Sequence, residues 1–163
     1  MRTILLVASE AMPFAKSGGL GEVVGSLPKA LRRAGIDARV IMPLYGCIAP
    51  GYRSRMILRK ELSVPVGWRR QYCGVKSLQE DGITFYFLDN QYYFGRDRLY
   101  GYYDEAERYA FFCRAVLEAI PYLGCIPEVV HCHDWQTGLV GAYLTAHYRQ
   151  KSCYEKIRNI FTV

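Results

Sequence analysis

The amino-terminal part of the chain constrains the fold most, because it contains two apolar strands separated by one amphipathic helix. Thr3–Ala8 is a short, almost continuously apolar run, which predicts a strand buried on both faces of a sheet. Leu20–Ala34 has apolar residues at three- and four-residue spacing, which predicts a helix, and Gly35 ends it before the strand Ala38–Met42. Two strands joined in this way lie parallel, so the sequence begins with the first unit of a parallel α/β sheet.

The rest of the chain predicts three strands in close succession and then a return to alternating helices and strands. The predicted strands are Met56–Val66, Gln71–Leu78, Ile83–Leu88, Val129–Cys132 and Arg158–Val163, and the predicted helices are Asp104–Leu123 and Trp135–Tyr148. We interpret the first three strands as a β-hairpin insertion that leads back into the main sheet. Pro28 lies inside the first helix and should kink it or break one turn. The prediction is an α/β fold in three layers around a mostly parallel sheet.

Length and composition describe a globular protein with one domain. The chain has 163 residues, of which 51% are apolar and 22% charged, and this excludes a disordered or fibrous chain. Its net charge of +6 is uneven: residues 1–80 carry 13 basic and 5 acidic side chains, whereas residues 81–163 carry 8 and 10. This balance is compatible with an anionic small ligand or with nucleic acid.

The cysteines and the apolar runs indicate an intracellular chain. The six cysteines include no C-x-x-C pair, and the apolar run at residues 4–8 is too short for a secretory leader. No segment approaches the roughly 18 apolar residues of a membrane span. We therefore expect reduced thiols, a cytoplasmic location and no membrane partner.

The loop after the first strand is the first candidate for chemistry. This glycine loop reads Lys16-Ser17-Gly18-Gly19-Leu20-Gly21-Glu22 and leads into the first helix. Ligands of open parallel sheets bind outside the carboxyl ends of the strands, where glycines let the backbone approach an anion and the free amides of a helix start face it. Lys16 adds a mobile positive charge. The loop matches neither a G-x-G-x-x-G nor a Walker A pattern, and a tight turn with a solvated lysine is the alternative.

A second candidate is the segment His131–Gly138, which begins at the end of a predicted strand. Strand alternation puts His131 and His133 on one face, and it places His133 and Asp134 at the same sheet edge as the glycine loop. Asp134 is also suited to cap the next helix by accepting amide hydrogen bonds. A zinc site made from His131, His133 and Cys125 is a minor alternative, because the usual ligand spacing and a fourth ligand are missing.

A third candidate, the aromatic segment (residues 92–104), is rich in tyrosine and contains Arg96 and Arg98. Such aromatics can stack on the bases of a single-stranded nucleic acid or line a sugar-binding cleft. A packed aromatic loop that covers the sheet edge is the preferred interpretation. Basic side chains also decorate the predicted hairpin, and we interpret them as a solvated face and not as a nucleic-acid footprint. They are Arg53, Arg55, Arg59, Lys60, Arg69 and Arg70.

Four motifs, in order along the chain, carry a family resemblance. They are Ser9-Glu10-Ala11-Met12-Pro13, Lys16-Ser17-Gly18-Gly19-Leu20-Gly21-Glu22-Val23, Tyr100-Gly101-Tyr102-Tyr103-Asp104 with Glu107-Arg108-Tyr109, and His133-Asp134-Trp135-Gln136-Thr137-Gly138-Leu139. As a set they resemble bacterial glycogen synthase and plant starch synthase, over the whole chain. The resemblance implies the two-domain GT-B fold, of which residues 1–163 would be an incomplete, Rossmann-like N-terminal domain without the C-terminal nucleotide-binding domain. It also implies transfer of glucose from ADP-glucose to the non-reducing end of an α-1,4-glucan, with retention of configuration, in glycogen biosynthesis.

The same resemblance implies roles for individual residues. Substrate-binding roles are implied for Lys16, Gly18, Gly19, Glu22 and His133, and catalytic roles in the active-site cleft for Glu10 and Asp134. Glu22 stands where the family often has Asp, and Gln136 stands where some members have His, which leaves the role of Gln136 open. No metal ion or other cofactor is implied, because protein cations can neutralise the leaving diphosphate.

The chain ends within an apolar strand, at Ile160-Phe161-Thr162-Val163, so we expect it to be part of a longer protein. The partners implied by the resemblance are therefore ADP-glucose, the glucan acceptor and the missing C-terminal domain, and the chain alone should be inactive. Two other functions stay open: a non-enzymatic glucan-binding module that stacks sugars on the aromatic segment, and another nucleotide-sugar transferase of the same fold. A nucleic-acid binder ranks lowest, since the basic residues are dispersed and no recognised nucleic-acid motif is present.

Overall fold

Seven strands form a single sheet in the computed structural model, which describes residues 2–163. The strands are β1 (Thr3–Val7), β2 (Asp37–Pro43), β3 (Ile57–Val66), β4 (Arg69–Glu80), β5 (Ile83–Asp89), β6 (Val129–His133) and β7 (Arg158–Thr162). The helices are α1 (Gly19–Arg33), α2 (Pro50–Arg53), α3 (Gln91–Phe94), α4 (Glu105–Ala119) and α5 (Leu139–Tyr143), with 3₁₀ turns at Ile120–Tyr122 and Trp135–Thr137 and a π-helical turn at Leu144–Tyr148. None of these helices combines the length and apolarity of a membrane span.

The sheet is parallel at its centre and antiparallel at one edge. Its strand order is β3-β4-β5-β2-β1-β6-β7, and only the pairs β3–β4 and β4–β5 are antiparallel within residues 2–163. The chain leaves β1 towards β2 on one side and later passes to β6 on the other side. Because such crossovers are right-handed, α1 covers one face of the sheet and α4 and α5 cover the other. The predicted three-layer α/β fold with a hairpin insertion is confirmed.

The core lies on both faces of the central strands, which explains their apolar sequences. β1 and β2 contribute side chains with no exposed surface, such as Leu6 and Val40. Phe14, in the loop after β1, packs edge-to-face against Phe85 and Phe87 of β5, with ring centroids 4.8 and 4.9 Å apart. The loop that follows β1 is therefore anchored in the core.

The hairpin adds two long strands to the outer edge of β5. Asp81 and Gly82 connect β4 to β5 with φ values of 49° and 74°, a turn conformation that aspartate and glycine tolerate best. β3 is the outermost strand, and its register against β4 shifts between Leu58 and Lys60. Arg59 is therefore an extra, unpaired residue that forms a β-bulge. The turn residues are predictable from the sequence, whereas the bulge is not.

The structure differs from the sequence prediction at three places. α1 continues without interruption through Pro28, so of the two predicted alternatives, a kink or a broken turn, the broken turn is wrong. The proline is buried, and its packing offsets the one helical hydrogen bond that it cannot donate. The single turn Pro50–Arg53 is too short to leave a periodic signal. The segment predicted as one helix, Trp135–Tyr148, is divided into a 3₁₀ turn, a short α-helix and a π-helical turn, and it contains Gly138 and Gly141.

Helix α1 approaches the preceding loop too closely at Gly25 to admit a side chain. A Cβ atom there would lie 2.7 Å from Cβ of Met12 and 3.0 Å from its carbonyl oxygen. We expect Gly25→Ala to lower the free energy of unfolding, measured by urea denaturation, by about 1 to 3 kcal/mol, although alanine normally favours a helix. The control is Gly19→Ala in the same helix, where a Cβ meets nothing within 4 Å and no loss is expected. An equal loss at both positions would contradict the packing argument.

Candidate functional site

The candidate site lies at the carboxyl edge of the sheet, where β1 and β6 are neighbours. The chain turns in opposite directions after these two strands, towards β2 after β1 and towards β7 after β6. The loops then diverge and leave a crevice, which is the usual ligand position in an open α/β sheet. The glycine loop follows β1 and the segment His131–Gly138 begins in β6, so the topology brings the first two candidates to one edge.

The carboxylate of Glu10 holds the glycine loop in place. Glu10 is only 3% exposed. It accepts hydrogen bonds from the Ser17 amide at 2.6 Å, the Ser17 hydroxyl at 2.9 Å and the Gly18 amide at 3.3 Å. The fourth donor is the hydroxyl of Tyr100 at 2.7 Å, which also lies 2.7 Å from the hydroxyl of Ser9. Donors from two distant parts of the sequence thus fix the shape of the loop.

These hydrogen bonds also keep Glu10 ionised. Burial alone would raise the pKa of this carboxyl, but the amide and hydroxyl of Ser17, the hydroxyl of Tyr100 and the amide of Gly18 stabilise the anion and lower its pKa below the ordinary 4.5. A buried carboxylate with this many donors has little capacity left for a substrate. The catalytic role predicted for Glu10 stays a prediction, and the geometry describes a residue that positions the loop.

Lys16 and Glu22 form an ion pair at the exposed rim of the glycine loop. The hydrogen bond and the charge of Lys16 lower the pKa of Glu22. The two side chains are 37% and 65% exposed, and surface pairs of this kind contribute little to stability. An incoming anion can therefore replace Glu22 as the partner of the ammonium group.

Gly18 and Gly19 leave open space at the start of α1. A Cβ atom at either position would meet no heavy atom within 4 Å, so packing requires neither glycine. No side chain among residues 2–163 caps this helix, and its first amides have no acceptor within the helix. Gly21 is different, because a Cβ atom there would lie 3.0 Å from Cβ of Lys16. The loop thus presents free amides and one ammonium group to an open surface.

His133 is a buried, neutral histidine at the end of β6. Its side chain is 3% exposed, and its ring centroid lies 4.1 Å from that of His131. Its Nε2 atom has no hydrogen-bond partner among residues 2–163. Burial first, and the charge of His131 second, lower the pKa of His133 to about 4. The two histidines share one face of the strand, as the alternation predicts.

Asp134 has a strained backbone. Its φ of 64° and ψ of 172° lie in a region that is nearly restricted to glycine. Its carboxylate accepts a hydrogen bond from the Trp135 amide at 2.7 Å, which confirms the predicted capping role. The hydroxyl of Thr137 donates to the backbone carbonyls of His133 and Asp134, at 3.0 and 2.9 Å, and stabilises the turn. Strain of this kind clusters at functional sites.

A cleft of about 240 Å³ joins α1 to this turn. It is lined by Leu20 and Val23 of α1, by His133 and Asp134, and by Thr162–Val163. The first turn of α1 and the end of β6 therefore share one surface, as the sequence predicts. Gln136 is buried behind this surface, and its Oε1 atom has no partner among residues 2–163.

The aromatic segment packs against the same edge of the sheet. Tyr93 and Phe94 are buried, and Arg96 forms two hydrogen bonds of 2.7 Å with the carboxylate of Asp104. Arg108 of α4 is fully buried and donates to the carbonyl oxygen of Tyr93 at 2.8 Å. This packing agrees with the preferred interpretation of the segment as an ordered aromatic loop.

Tyr100 is the site residue that the sequence analysis did not single out. It belongs to the aromatic segment, yet its hydroxyl reaches the carboxylate of Glu10, which is 90 residues earlier in the chain. No spacing rule connects two residues so far apart. The only signal in the sequence is that both residues fall within motifs of the same family resemblance.

The alternative zinc site is contradicted by the structure. Cys125 precedes β6 and thus lies towards the amino edge of the sheet, whereas His133 lies at the carboxyl edge. Residues 2–163 contain no group of three or more histidine, cysteine, aspartate or glutamate side chains that could hold a metal ion. The six cysteines are free, and burial raises the pKa of the Cys132 thiol to about 11.

Comparison with protein-family models assigns residues 3–163 to the starch synthase catalytic domain. The chain belongs to the starch synthase catalytic domain family. Glycogen synthases of Geobacillus stearothermophilus and Bacillus cereus (strain B4264) are 56% and 48% identical to it over 160 residues, which is 98% of this chain. The chain spans 33% and 34% of the lengths of these two relatives.

A solved structure supports the same assignment. The catalytic domain of starch synthase IV from Arabidopsis thaliana, bound to ADP and acarbose, matches the chain with a TM-score of 0.87 and 30% sequence identity. The match covers 98% of this chain and 33% of the Arabidopsis chain. The predicted family and fold class are confirmed. The roles of single residues rest on the geometry described above.

Replacing Asp134 separates backbone strain from side-chain function in this member of the family. Glycine normally destabilises a fold relative to alanine, but it relieves the strain of the Asp134 backbone. We expect Asp134→Gly to have a free energy of unfolding about 1 to 2 kcal/mol higher than Asp134→Ala, measured by urea denaturation. Both variants lack the carboxylate, so the comparison isolates the backbone. If the alanine variant is the more stable one, the strain is not present in solution.

The lowered pKa of Glu10 predicts a specific loss of stability in acid. Because the folded pKa is lowered, the ionised carboxylate contributes its full stability above about pH 4.5, and this contribution is lost as the pH falls through the lower folded value. Tyr100→Phe removes one donor, so the folded pKa of Glu10 should rise and the acid-dependent loss should shrink. Urea denaturation between about pH 3 and pH 7 measures this loss.

The matched control for this experiment is Tyr102→Phe. Tyr102 lies in the same aromatic segment, but its hydroxyl accepts a hydrogen bond from the Arg98 amide and donates none to the Glu10 carboxylate. The pH dependence of Tyr102→Phe should therefore equal that of the unmodified chain. Identical profiles for the two tyrosine variants would contradict the role assigned to Tyr100.

Proposed function

We propose that the chain forms the N-terminal domain of a glycogen synthase that transfers glucose from ADP-glucose to the non-reducing end of an α-1,4-glucan with retention of configuration. The relatives named glycogen synthase support this reaction, and the Arabidopsis structure with ADP supports a nucleotide ligand. The observation that carries the proposal is the cleft that the uncapped first turn of α1, directly after the glycine loop, shares with His133 and Asp134.

Donor binding is the task proposed for the glycine loop. The free amides at the start of α1 and the ammonium group of Lys16 would hold the diphosphate of ADP-glucose. Glu22 would release Lys16 when the diphosphate arrives, because the two negative groups compete for one cation. Gly18 and Gly19 support this view, since a side chain at either position would occupy the space that the diphosphate needs.

Glu10 and Tyr100 would contribute by position. Their hydrogen bonds hold the Ser17 and Gly18 amides at fixed places next to the start of α1. A loop that is already ordered loses little conformational entropy when it binds a ligand. We therefore assign Glu10 a positioning role in donor binding, one step removed from the reacting atoms.

We assign His133 and Asp134 to the sugar end of the reaction. As ADP leaves, negative charge grows on the β-phosphate while the sugar gains positive charge. The carboxylate of Asp134 would stabilise the sugar charge, and Lys16 would stabilise the phosphate charge. His133 is neutral because burial lowers its pKa to about 4, so it adds no positive charge beside the sugar. Its buried Nε2 atom has no hydrogen-bond partner among residues 2–163, and we propose that it pairs with a sugar hydroxyl.

The activity would require more protein than this chain. The chain spans about a third of its relatives, and a single lysine supplies only part of the positive charge that a leaving diphosphate needs. We propose that a C-terminal nucleotide-binding domain supplies the remaining cations and closes over the donor. The cytoplasm is the proposed location of the complete enzyme.

A chimera tests this function directly. The 163-residue chain would replace the corresponding third of the Geobacillus stearothermophilus relative, with which it shares 56% identity. Incorporation of labelled glucose from ADP-glucose into glycogen is the measurement. We expect the chimera to elongate glycogen and the isolated chain to be inactive. A folded but inactive chimera would refute the proposed reaction, and elongation by the isolated chain would refute the need for a second domain.

Lys16→Ala in this chimera tests the role of the loop. Charge-assisted hydrogen bonds to a ligand contribute roughly 1.5 to 3 kcal/mol, so we expect kcat/KM for ADP-glucose to fall roughly 10- to 100-fold. The free energy of unfolding should change little, because Lys16 is an exposed side chain. The matched control is Lys29→Ala, an exposed lysine of α1 that pairs with Asp81 outside the site. Equal kinetics in both variants would remove Lys16 from the donor site.

A further inference from the structure

A second concave surface lies on the face of the sheet that carries α4. It is a trough of about 440 Å³ between β2, β5, the hairpin strands and residues Leu123 and Gly124, which follow the 3₁₀ turn after α4. Its polar lining consists of Arg39, Arg55, Arg59, Ser77, Gln79, Thr84 and Tyr86. We propose that this trough binds a small phosphate monoester with a hydroxylated body, at a site separate from the glycine loop.

The β-bulge in β3 turns two positively charged side chains to the face of the sheet on which the trough lies. In a regular strand, Arg59 and Lys60 would point to opposite faces of the sheet. The bulge places both residues opposite Val75 and turns both side chains to the face of Ser77. Nε of Arg59 donates to the Ser77 hydroxyl at 2.7 Å, and the ammonium group of Lys60 lies 5.2 Å from the ring centroid of Tyr122. Both contacts are on the α4 face, where the trough lies.

Arg59 differs from the other two arginines of the trough because its guanidinium group has no acidic partner among residues 2–163. Arg39 pairs with Asp37, and Arg55 pairs with Glu80. Within residues 2–163, Arg59 makes no ion pair, and its one hydrogen bond uses Nε and leaves both terminal nitrogens free. A guanidinium group offers these nitrogens as a planar fork that matches two oxygens of a phosphate.

The uncharged lining of the trough indicates that its ligand has hydroxyl groups and apolar surface in addition to an anionic group. Ser77, Gln79 and Thr84 offer hydroxyl and amide groups, and Ile57, which pairs with Ser77 and is exposed, provides apolar surface beside them. A volume of about 440 Å³ is within the range of pockets that enclose a small organic ligand. A phosphate ester of a hydroxylated molecule uses the charge of Arg59 and these polar groups together.

The trough is remote from the glycine loop along the sheet. Arg39 lies beside Leu5 in the parallel register, and Thr84 lies at the start of β5. Lys16 instead follows the carboxyl end of β1, beyond the opposite edge. A ligand in the trough therefore does not occupy the proposed donor site. Arg55 and Arg59 are exposed, which agrees with the interpretation of the hairpin arginines as a solvated face, and they line a concave part of that face.

Isothermal titration calorimetry of the 163-residue chain tests this site with glucose 1-phosphate as the probe. We expect saturable binding of one ligand per chain, weakened by about tenfold or more in Arg59→Gln. Arg59→Lys keeps the charge but loses the fork, so its affinity should be intermediate. Arg70→Gln is the matched control, because Arg70 lies on the same hairpin but donates to Ser63 outside the trough. Its affinity should be unchanged.

The remaining measurements separate this proposal from the function of the glycine loop. Lys16→Ala should bind glucose 1-phosphate with the same affinity as the unmodified chain. The proposal would be overturned if Lys16→Ala loses binding while Arg59→Gln keeps it. Absence of saturable binding would overturn it as well. Inorganic phosphate should bind more weakly than the ester, and glucose should not bind measurably. Equal affinity for inorganic phosphate or for glucose would refute the proposed ligand class. None of these outcomes depends on glucosyl transfer.

Discussion

The candidate site depends on one buried negative charge, the carboxylate of Glu10. This group joins the end of β1, the glycine loop and the aromatic segment, because each of these elements contributes at least one donor to it or to the adjoining Tyr100 hydroxyl. A charge that is 3% exposed is tolerated only when its hydrogen-bonding capacity is satisfied. The loop at the start of α1 therefore has a defined shape before any ligand arrives. Its exposed face carries Lys16 and the free amides, and this is where we propose that the donor binds.

Most of the fold follows from patterns that are local in the sequence. The apolar run of β1 and the three- and four-residue spacing of α1 report burial directly, so the predicted bounds are close to those observed. The hairpin turn at Asp81 and Gly82 is also predictable from the sequence, since few other residues adopt positive φ values without strain. Pro28 shows the limit of such rules. Local propensity predicts a broken helix there, and burial of the proline against its neighbours outweighs it.

The site is predictable in outline and not in its details. Topology alone places the glycine loop beside His133 and Asp134, because parallel strands end at the same edge of a sheet. The contact of Tyr100 with Glu10, the neutral state of His133 and the bulge at Arg59 depend on distant residues that meet only after folding. Each of them changes the chemistry expected from the residue types. Glu10 accepts the hydrogen bonds that fix a loop, and the exposed Arg59 lines a trough.

The bulge also affects how the sheet meets other chains. β3 is an outermost strand, and an extra residue next to Lys60, together with Pro65, interrupts the regular ladder that a foreign strand would need for pairing. β7, at the other end of the strand order, is regular and exposed along its length, with Ile160 and Phe161 about half accessible to solvent. The two borders of the sheet are therefore unequal. Strand addition is disfavoured beside the hairpin, because the irregular outer border of β3 offers no continuous row of backbone donors and acceptors.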